Sequence, residues 1–196
     1  MALGTLTILA SIAAVGPVRH DRCTVVGDGA YPSGGSLGLE NLLRAAAGND
    51  CSVFEVQPVG DNGDTHLEYT PKGKPVEVTA AAATDLFTSA TAHGFSSGDA
   101  VYVEIGGGNA NKPNPKLPTG VALGTAYYVI ASGLTTTAFK VSATSGGSAI
   151  DLTSDSAGEI QVRKADKLLV RVMSTGIESS TSNQSGTTYS FVATSA

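Results

Sequence analysis

The chain has 196 residues, of which 41% are hydrophobic, and this is enough apolar material for one large domain or two small ones with real cores. Only 15% of the residues are charged and 24 are glycine, which favours strands and loops over long helices with charged exposed faces. The formal net charge of -5 argues against binding to a phosphate backbone. The composition therefore predicts an all-β protein without a nucleic-acid partner.

The first segment, residues 2–16, is apolar and is interrupted only by Thr, Ser and Gly. It resembles the core of a signal peptide in hydropathy, but no Lys or Arg occurs before Arg19, and the segment is too short to cross a membrane. We therefore expect a strand over residues 5–15 that is buried or extends an edge onto a neighbouring subunit. Its candidate interface residues are Leu6, Ile8 and Ile12. No other run approaches the length of a membrane-spanning helix, so no membrane partner is expected.

A loop and a helix follow the second predicted strand, residues 22–26. Residues 27–35, Gly-Asp-Gly-Ala-Tyr-Pro-Ser-Gly-Gly, predict the loop, because several glycines and one proline interrupt regular structure there. Apolar residues at helical spacing then predict the one short helix of the chain. They are Leu39, Leu42, Leu43 and Ala46.

A hairpin is expected next, because a Val-rich strand ends at the turn Gly-Asp-Asn-Gly-Asp, residues 60–64, and the chain returns over residues 66–69. The carboxylates of this turn could attract calcium. They lack the alternate spacing and the closing Glu of a calcium loop, so a plain turn is the preferred interpretation.

The two cysteines, Cys23 and Cys51, are too few for a disulfide framework and are expected to be buried free thiols. With His20 and His66 they could form a zinc site, but no second pair mirrors the close spacing of His20 and Cys23, so we expect no metal. No catalytic motif is present, and His93 is expected to be a structural hydrogen-bond donor. The chain is therefore predicted to have neither enzymatic activity nor a cofactor.

The composition changes over residues 76–162, where six of the eleven aromatic residues lie on short predicted strands. These strands span residues 76–80, 84–90, 100–105, 125–131, 138–143 and 159–163. Alternation in the third strand predicts Val101, Val103 and Ile105 on one buried face.

Residues 117–120, Leu-Pro-Thr-Gly, predict a turn in which the proline restricts φ and the glycine takes a positive φ. Tyr127 and Tyr128 are neighbours on the following strand and must point to opposite faces. One is therefore expected in the core, and the other faces water or a neighbour.

The order of the strands indicates an insertion. Residues 1–75 provide too few strands to complete a sheet, and residues 163–196 supply two more, at 167–173 and 187–192. We therefore predict a base domain of residues 1–75 plus 163–196 and an inserted domain of residues 76–162. The inserted part carries a formal charge of 3 − 7 = −4 and the remainder 9 − 10 = −1, which suggests an acidic head on a nearly neutral base.

The predicted base domain resembles a family of small tailed-phage virion proteins that are assigned as capsid decoration, or cement, proteins. That family has an apolar N-terminal segment before a Gly-Asp-x-x-Tyr-Pro-x-Gly-Gly loop, similar to residues 27–35 here. It ends with two strands similar to residues 167–172 and 185–191. The resemblance adds Tyr31 and Pro32 to the candidate interface residues.

The predicted inserted domain resembles a module of many phage structural proteins. Three motifs mark this module: His-Gly-Phe followed by Gly-Asp, Leu-Pro-x-Gly before Tyr-Tyr-Val, and Phe-x-x-Ser-Ala-Thr. The matching residues are His93–Phe95, Gly98–Asp99, Leu117–Val129 and Phe139–Thr144. The long loop at residues 106–115 and the two cysteines depart from the two patterns.

These resemblances imply a jelly-roll-like β-sandwich or barrel as the base, with one short helix and an inserted small β-barrel or Ig-like domain. They imply a decoration protein on the outer surface of the virion capsid, made in the host cytoplasm. Its partners would be the major capsid protein and further copies of itself, as a dimer or trimer. A tail-tube subunit and a tail-fibre or adhesion module that binds a surface glycan are the alternatives. The absence of Trp weakens the glycan alternative, because sugar sites depend on aromatic side chains.

Overall fold

The structure is a computed structural model that describes residues 6–12, 19–26, 36–39, 53–58, 65–106, 112, 114–172 and 188–195. These residues form antiparallel strands and almost no helix, which confirms the all-β prediction. The strands are β1 (Leu6–Ile12), β2 (Arg19–Val26), β3 (Ser36–Leu37), β4 (Val53–Pro58), β5 (Thr65–Thr70), β6 (Val76–Ala81), β7 (Leu86–Ser89), β8 (Ala100–Ile105), β9 (Ala126–Ile130), β10 (Ala138–Ser142), β11 (Ile160–Lys164), β12 (Lys167–Val172) and β13 (Thr188–Ser195). Apart from Leu39, the predicted helix lies outside the described residues, as do the predicted turns at 27–35 and 60–64.

The chain divides into two compact units, one of Met1–Pro71 with Asp166–Ala196 and one of Lys72–Ala165. The described strands of the first unit form two sheets, in the orders β1-β2-β13-β4 and β3-β12-β5. In the first sheet β13 is central and pairs with both β2 and β4. In the second, β12 pairs with β5 over six residue pairs, from Thr70 opposite Lys167 to Thr65 opposite Val172.

The second unit is a closed barrel with the strand order β10-β7-β6-β11-β8-β9, in which β9 pairs back to β10. Of the two forms predicted for this segment, the structure therefore shows the small barrel. A barrel of this size is filled by side chains. The interior is apolar: Phe87 and Phe139 are fully buried and stack with their ring centroids 5.5 Å apart. Leu152, from the segment after β10, is also buried in this core.

The two ends of the barrel unit lie side by side. The first strand of the unit pairs with its last strand, with Val76 opposite Val162. One step nearer to the chain's entry point, the Gly73 N–H donates a hydrogen bond of 3.0 Å to the Lys164 carbonyl. A Cβ at Gly73 would lie 3.1 Å from the Lys164 Cβ, so the close approach of the two segments favours glycine. The chain therefore enters and leaves this unit at one place.

The bounds of the barrel unit reverse the predicted distribution of charge. Four basic residues that were assigned to the base lie inside the unit: Lys72, Lys74, Arg163 and Lys164. The formal charge of Lys72–Ala165 is therefore 7 − 7 = 0, and that of the remaining residues is 5 − 10 = −5. The prediction of an acidic head on a nearly neutral base was wrong because these basic residues stand just outside the boundaries that strand counting suggested.

The alternation predicted for β8 holds for only part of the strand. Val101 and Val103 are fully buried in the barrel, as expected, but Ile105 is 43% exposed. Ile105 is the last residue of β8, where fewer neighbouring residues cover a side chain. Tyr102 points to the opposite face of the strand, yet it is only 3% exposed, and the Lys72 ammonium lies over its ring.

The predicted turn at residues 117–120 is shifted by one residue. The Val121 N–H donates to the Pro118 carbonyl at 3.5 Å, so Pro118 is the first residue of the turn and Gly120 the third. Gly120 has a φ of 117°, which confirms the positive φ expected of it. A Cβ at this position would lie 2.7 Å from the Asp151 carbonyl oxygen, so both the backbone conformation and the space require glycine.

Gly120→Ala should destabilise the barrel by about 3 kcal/mol, because strain at positive φ adds to a collision with backbone. The matched control is Gly124→Ala. Gly124 also has a positive φ, of 72°, but a Cβ there meets nothing within 4 Å, so this change should cost only about 1 kcal/mol. Urea unfolding of the two variants measures the difference, and equal losses would show that the collision does not matter.

Replacing residues 74–163 by an Asn-Gly turn should leave the first unit folded. Gly73 and Lys164 have the backbone hydrogen bond that flanks a two-residue hairpin turn, and both stand three residues from the last pair of β5 with β12, Thr70 and Lys167. Far-UV circular dichroism and cooperative thermal unfolding of the shortened chain test this. An unfolded product would show that the first unit depends on the barrel.

Candidate functional site

The predicted interface residues of the N-terminal segment lie on an edge strand. Among the described strands, β1 pairs only with β2, so its other side is an open edge of the four-stranded sheet. Leu6 stands opposite Val25 and Ile8 opposite Cys23. A register shift between Ile8 and Ala10 interrupts the regular pairing of β1 with β2. Ile12, opposite His20, lies beyond this shift and does not continue the pairing register of Leu6 and Ile8. Tyr31 and Pro32 lie outside the described residues.

The two edges of this sheet differ in sequence. β4, the opposite edge, contains Glu55 and ends at Pro58. Charged residues and proline are two of the devices by which proteins prevent an edge strand from pairing with another chain. β1 contains neither, and the chain has no charged residue before Arg19. β1 is therefore the edge whose chemistry permits an additional strand.

The motif residues that were identified in the predicted inserted domain, among them His93–Phe95 and Gly98–Asp99, make structural contacts within the barrel. His93 is only 6% exposed, and its ring packs against Phe95 and Phe139 at centroid distances of 5.0 Å. Its Nδ1 accepts a hydrogen bond from the Phe95 N–H, and its Nε2 donates to the Thr135 carbonyl, both at 2.9 Å. These partners require the neutral ring with its proton on Nε2. The expectation that His93 is a structural donor is confirmed.

The loop before β10 is held by backbone contacts to the segment that contains His93. The carbonyls of Thr136 and Thr137 accept hydrogen bonds from the N–H groups of His93 and Ser89, at 3.2 and 2.8 Å. Together with the Thr135 bond to the His93 ring, three successive carbonyls are satisfied by two residues. Ser89 and His93 therefore hold this loop through three hydrogen bonds to successive carbonyls.

The remaining motif residues join β9 to the start of β8. The Gly98 N–H donates to the Val129 carbonyl at 2.8 Å, and the Val129 N–H donates to the Asp99 carbonyl at 2.9 Å. Tyr127 is buried in the core, and its hydroxyl accepts a hydrogen bond from the Ala122 N–H, whereas Tyr128 is half-buried. The prediction that one tyrosine enters the core and the other does not is confirmed. These residues therefore contribute to the structure of the barrel.

Four residues on the outer surface of the barrel form what we call the root cluster: Lys72, Tyr102, Glu104 and Arg163. The Lys72 Nζ lies 5.1 Å from the centroid of the Tyr102 ring and 3.6 Å from the Glu104 Oε1. The Arg163 Nε lies 2.7 Å from the Glu104 Oε2. Sequence analysis missed this cluster, because its members come from three separate parts of the chain. Its only local signal was a Tyr and a Glu two residues apart on one strand face.

The thiols and the histidines form no recognisable metal site in the part of the chain that the structure describes. Cys23 lies on β2 opposite Ile8 and Phe191, and Cys51 lies outside the described residues. No group of three or more His, Cys, Asp or Glu side chains that could hold a metal ion occurs among the described residues. Within the same residues, no helix has the length and hydropathy needed to cross a membrane.

The comparisons with known proteins find no match to this chain among the protein-family models, the curated proteins or the solved structures.

Substituting His93 should destabilise the barrel according to how many of its hydrogen bonds are lost. His93→Leu removes both and should cost about 2 kcal/mol, because it leaves the Phe95 N–H and the Thr135 carbonyl unpaired. His93→Asn should cost less, since its amide oxygen can accept from the Phe95 N–H as Nδ1 does. Urea unfolding measures both, with Ser97→Ala at an exposed position as the control. Equal losses for Leu and Asn would contradict the assigned role of Nδ1.

Proposed function

We propose that this protein is a structural protein of a tailed-phage virion, a decoration or cement protein that binds the outer surface of the capsid. Its partners are the major capsid protein and further copies of itself, as a dimer or trimer. The proposal includes no catalytic activity, no cofactor, no nucleic-acid partner and no membrane partner. It rests on the resemblance of both parts of the chain to phage virion proteins and on the chemistry of the β1 edge.

The observation that carries the proposal is the uncharged edge strand β1. An open edge presents unpaired N–H and C=O groups, which form a template for a strand from another chain. The other edge of the same sheet carries Glu55 and Pro58, which discourage such pairing. A protein whose role is to join subunits of a shell can use an open, uncharged edge for that contact.

We further infer that the unit containing β1 is the base that contacts the shell, and that its two sheets form a jelly-roll-like sandwich. The barrel would then be an inserted domain that projects into solvent. The two units differ in whether their sheets have open edges, and this difference supports the assignment of roles. A closed barrel has no open edge and can be surrounded by solvent without pairing with other strands, whereas the four-stranded sheet keeps an open edge at β1.

The mechanism is mechanical. A capsid under internal pressure opens at the junctions between its subunits, and a protein that bridges two subunits adds contact area that must be separated first. Each contact can be weak, because many copies act together on one particle. The stabilisation therefore depends on oligomeric contacts, and no chemical step is needed.

Adding a lysine to the β1 edge should weaken capsid binding by about tenfold, because a charged side chain on an edge opposes strand pairing. Thr7→Lys makes this change on β1, and Gln57→Lys makes the same polar-to-lysine change on β4 as the matched control. Capsids are taken from the phage that encodes the chain, grown without this gene, and binding of each purified full-length variant is measured by co-sedimentation.

Gln57→Lys should bind like the unchanged protein. Equal binding of both variants would show that β1 does not make the contact. Immunogold labelling of complete virions separates the proposal from its alternatives, since label confined to the tail would favour a tail-tube or tail-fibre protein. Binding to a glycan array, without binding to capsids, would favour the adhesion module.

A further inference from the structure

Lys72 is buried to an extent that is unusual for lysine. Its side chain is only 6% exposed, although lysine is almost never buried without a partner. The ammonium lies over the Tyr102 ring and within 3.6 Å of the Glu104 carboxylate. Both contacts favour the cation at this position, because the ring face and the carboxylate are negative. Lys72, the first residue of the barrel unit, therefore binds the incoming segment to strand β8 through its side chain.

Glu104 is the shared partner of the root cluster. One of its oxygens faces Lys72 and the other lies 2.7 Å from the Arg163 Nε, so a single carboxylate contacts a cation of the incoming segment and a cation of β11, the last strand of the barrel. The Glu104 side chain is 25% exposed, which limits competition from water. Removing this carboxylate would therefore take away one contact of Lys72 and one of Arg163.

Further contacts join the segment by which the chain leaves the unit to the start of β8. The Ala165 N–H donates to the Ala100 carbonyl at 2.8 Å, and the Lys164 Nζ lies 2.8 Å from the Asp99 Oδ2. The incoming segment is tied to the outgoing one by the hydrogen bond from Gly73 to Lys164. Both connections are therefore fastened to the barrel before the chain leaves it.

We propose that the root cluster is a latch that holds the incoming segment on the barrel, so that the barrel and this segment behave as one rigid body. Opening of the latch frees Lys72 and Gly73 while the barrel core stays folded. This inference does not rest on the proposed function, since it concerns contacts within the barrel unit alone.

Trypsin reports on the latch because of where the basic residues stand. Trypsin cleaves after Lys or Arg unless proline follows, so Lys74 and Lys112, which precede Pro75 and Pro113, are not cleaved. Lys72 precedes Gly73 and becomes a substrate only when its buried side chain is released. Lys116 is exposed and precedes Leu117. The rate of cleavage after Lys116 therefore provides an internal reference that would rise if a substitution loosened the whole barrel.

The test is limited trypsin digestion of the full chain, with the rates of cleavage after Lys72 and Lys116 measured by mass spectrometry. In Glu104→Gln, cleavage after Lys72 should accelerate by about tenfold while cleavage after Lys116 is unchanged. The matched control is Glu77→Gln, which removes the partner of Lys112 in an exposed ion pair and should change neither rate. Unchanged cleavage after Lys72 in Glu104→Gln would overturn the latch, and so would an equal rise at both sites or an equal effect of Glu77→Gln.

A second measurement needs no variant. If the latch holds, the Gly73 amide of the unchanged protein should exchange its hydrogen within about tenfold of the rate of the Val129 amide, which is bonded to Asp99 inside the barrel. The Lys116 amide, in an isolated bridge to Ala157, should exchange faster than both. Exchange of Gly73 as fast as that of Lys116, measured by NMR, would show that the connection opens freely.

Discussion

Closure of the six-stranded barrel is the constraint on which the rest of the second unit depends. In the closed order, the first strand of the unit, β6, lies between β7 and the last strand, β11. In this order the ring of strands closes only if β6 and β11 pair with each other. Their pairing brings the entry and exit of the chain together at Gly73 and Lys164. The root cluster then lies at that point, because closure collects Lys72, Glu104 and Arg163 from distant parts of the sequence.

Contacts made by several residues of the barrel segment support this closure. His93 and Ser89 hold the loop before β10, and Gly98 and Asp99 bond to Val129 on β9. Phe87 and Phe139 fill the interior between them. These side chains are committed to contacts within the barrel, so their conformation is determined by the fold.

The open and closed sheets of this chain suit different tasks. A barrel without edges resists unwanted strand pairing, and an edge strand without charge or proline permits it. The proposed division into a contacting base and a projecting barrel follows from this difference. Net charge does not provide the argument, since the barrel unit is formally neutral and the remaining residues carry −5.

The sequence by itself determined the class of fold and the positions of the strands of the barrel, whereas the two-residue strand β3 was not predicted. In the barrel segment each predicted strand agrees with the structure within about two residues, because alternation and interruption by glycine and proline are local signals. The role of His93 and the opposite placement of Tyr127 and Tyr128 were also accessible, since each depends on a short stretch of chain. Only the tertiary structure decided that Lys72 lies over the Tyr102 ring, that Ile105 is exposed, that four basic residues belong to the barrel unit and that β1 is an edge among the described strands. Each of these depends on strand pairs between residues far apart in sequence, and such pairs are chosen by closure and packing of the whole sheet, which no local pattern encodes.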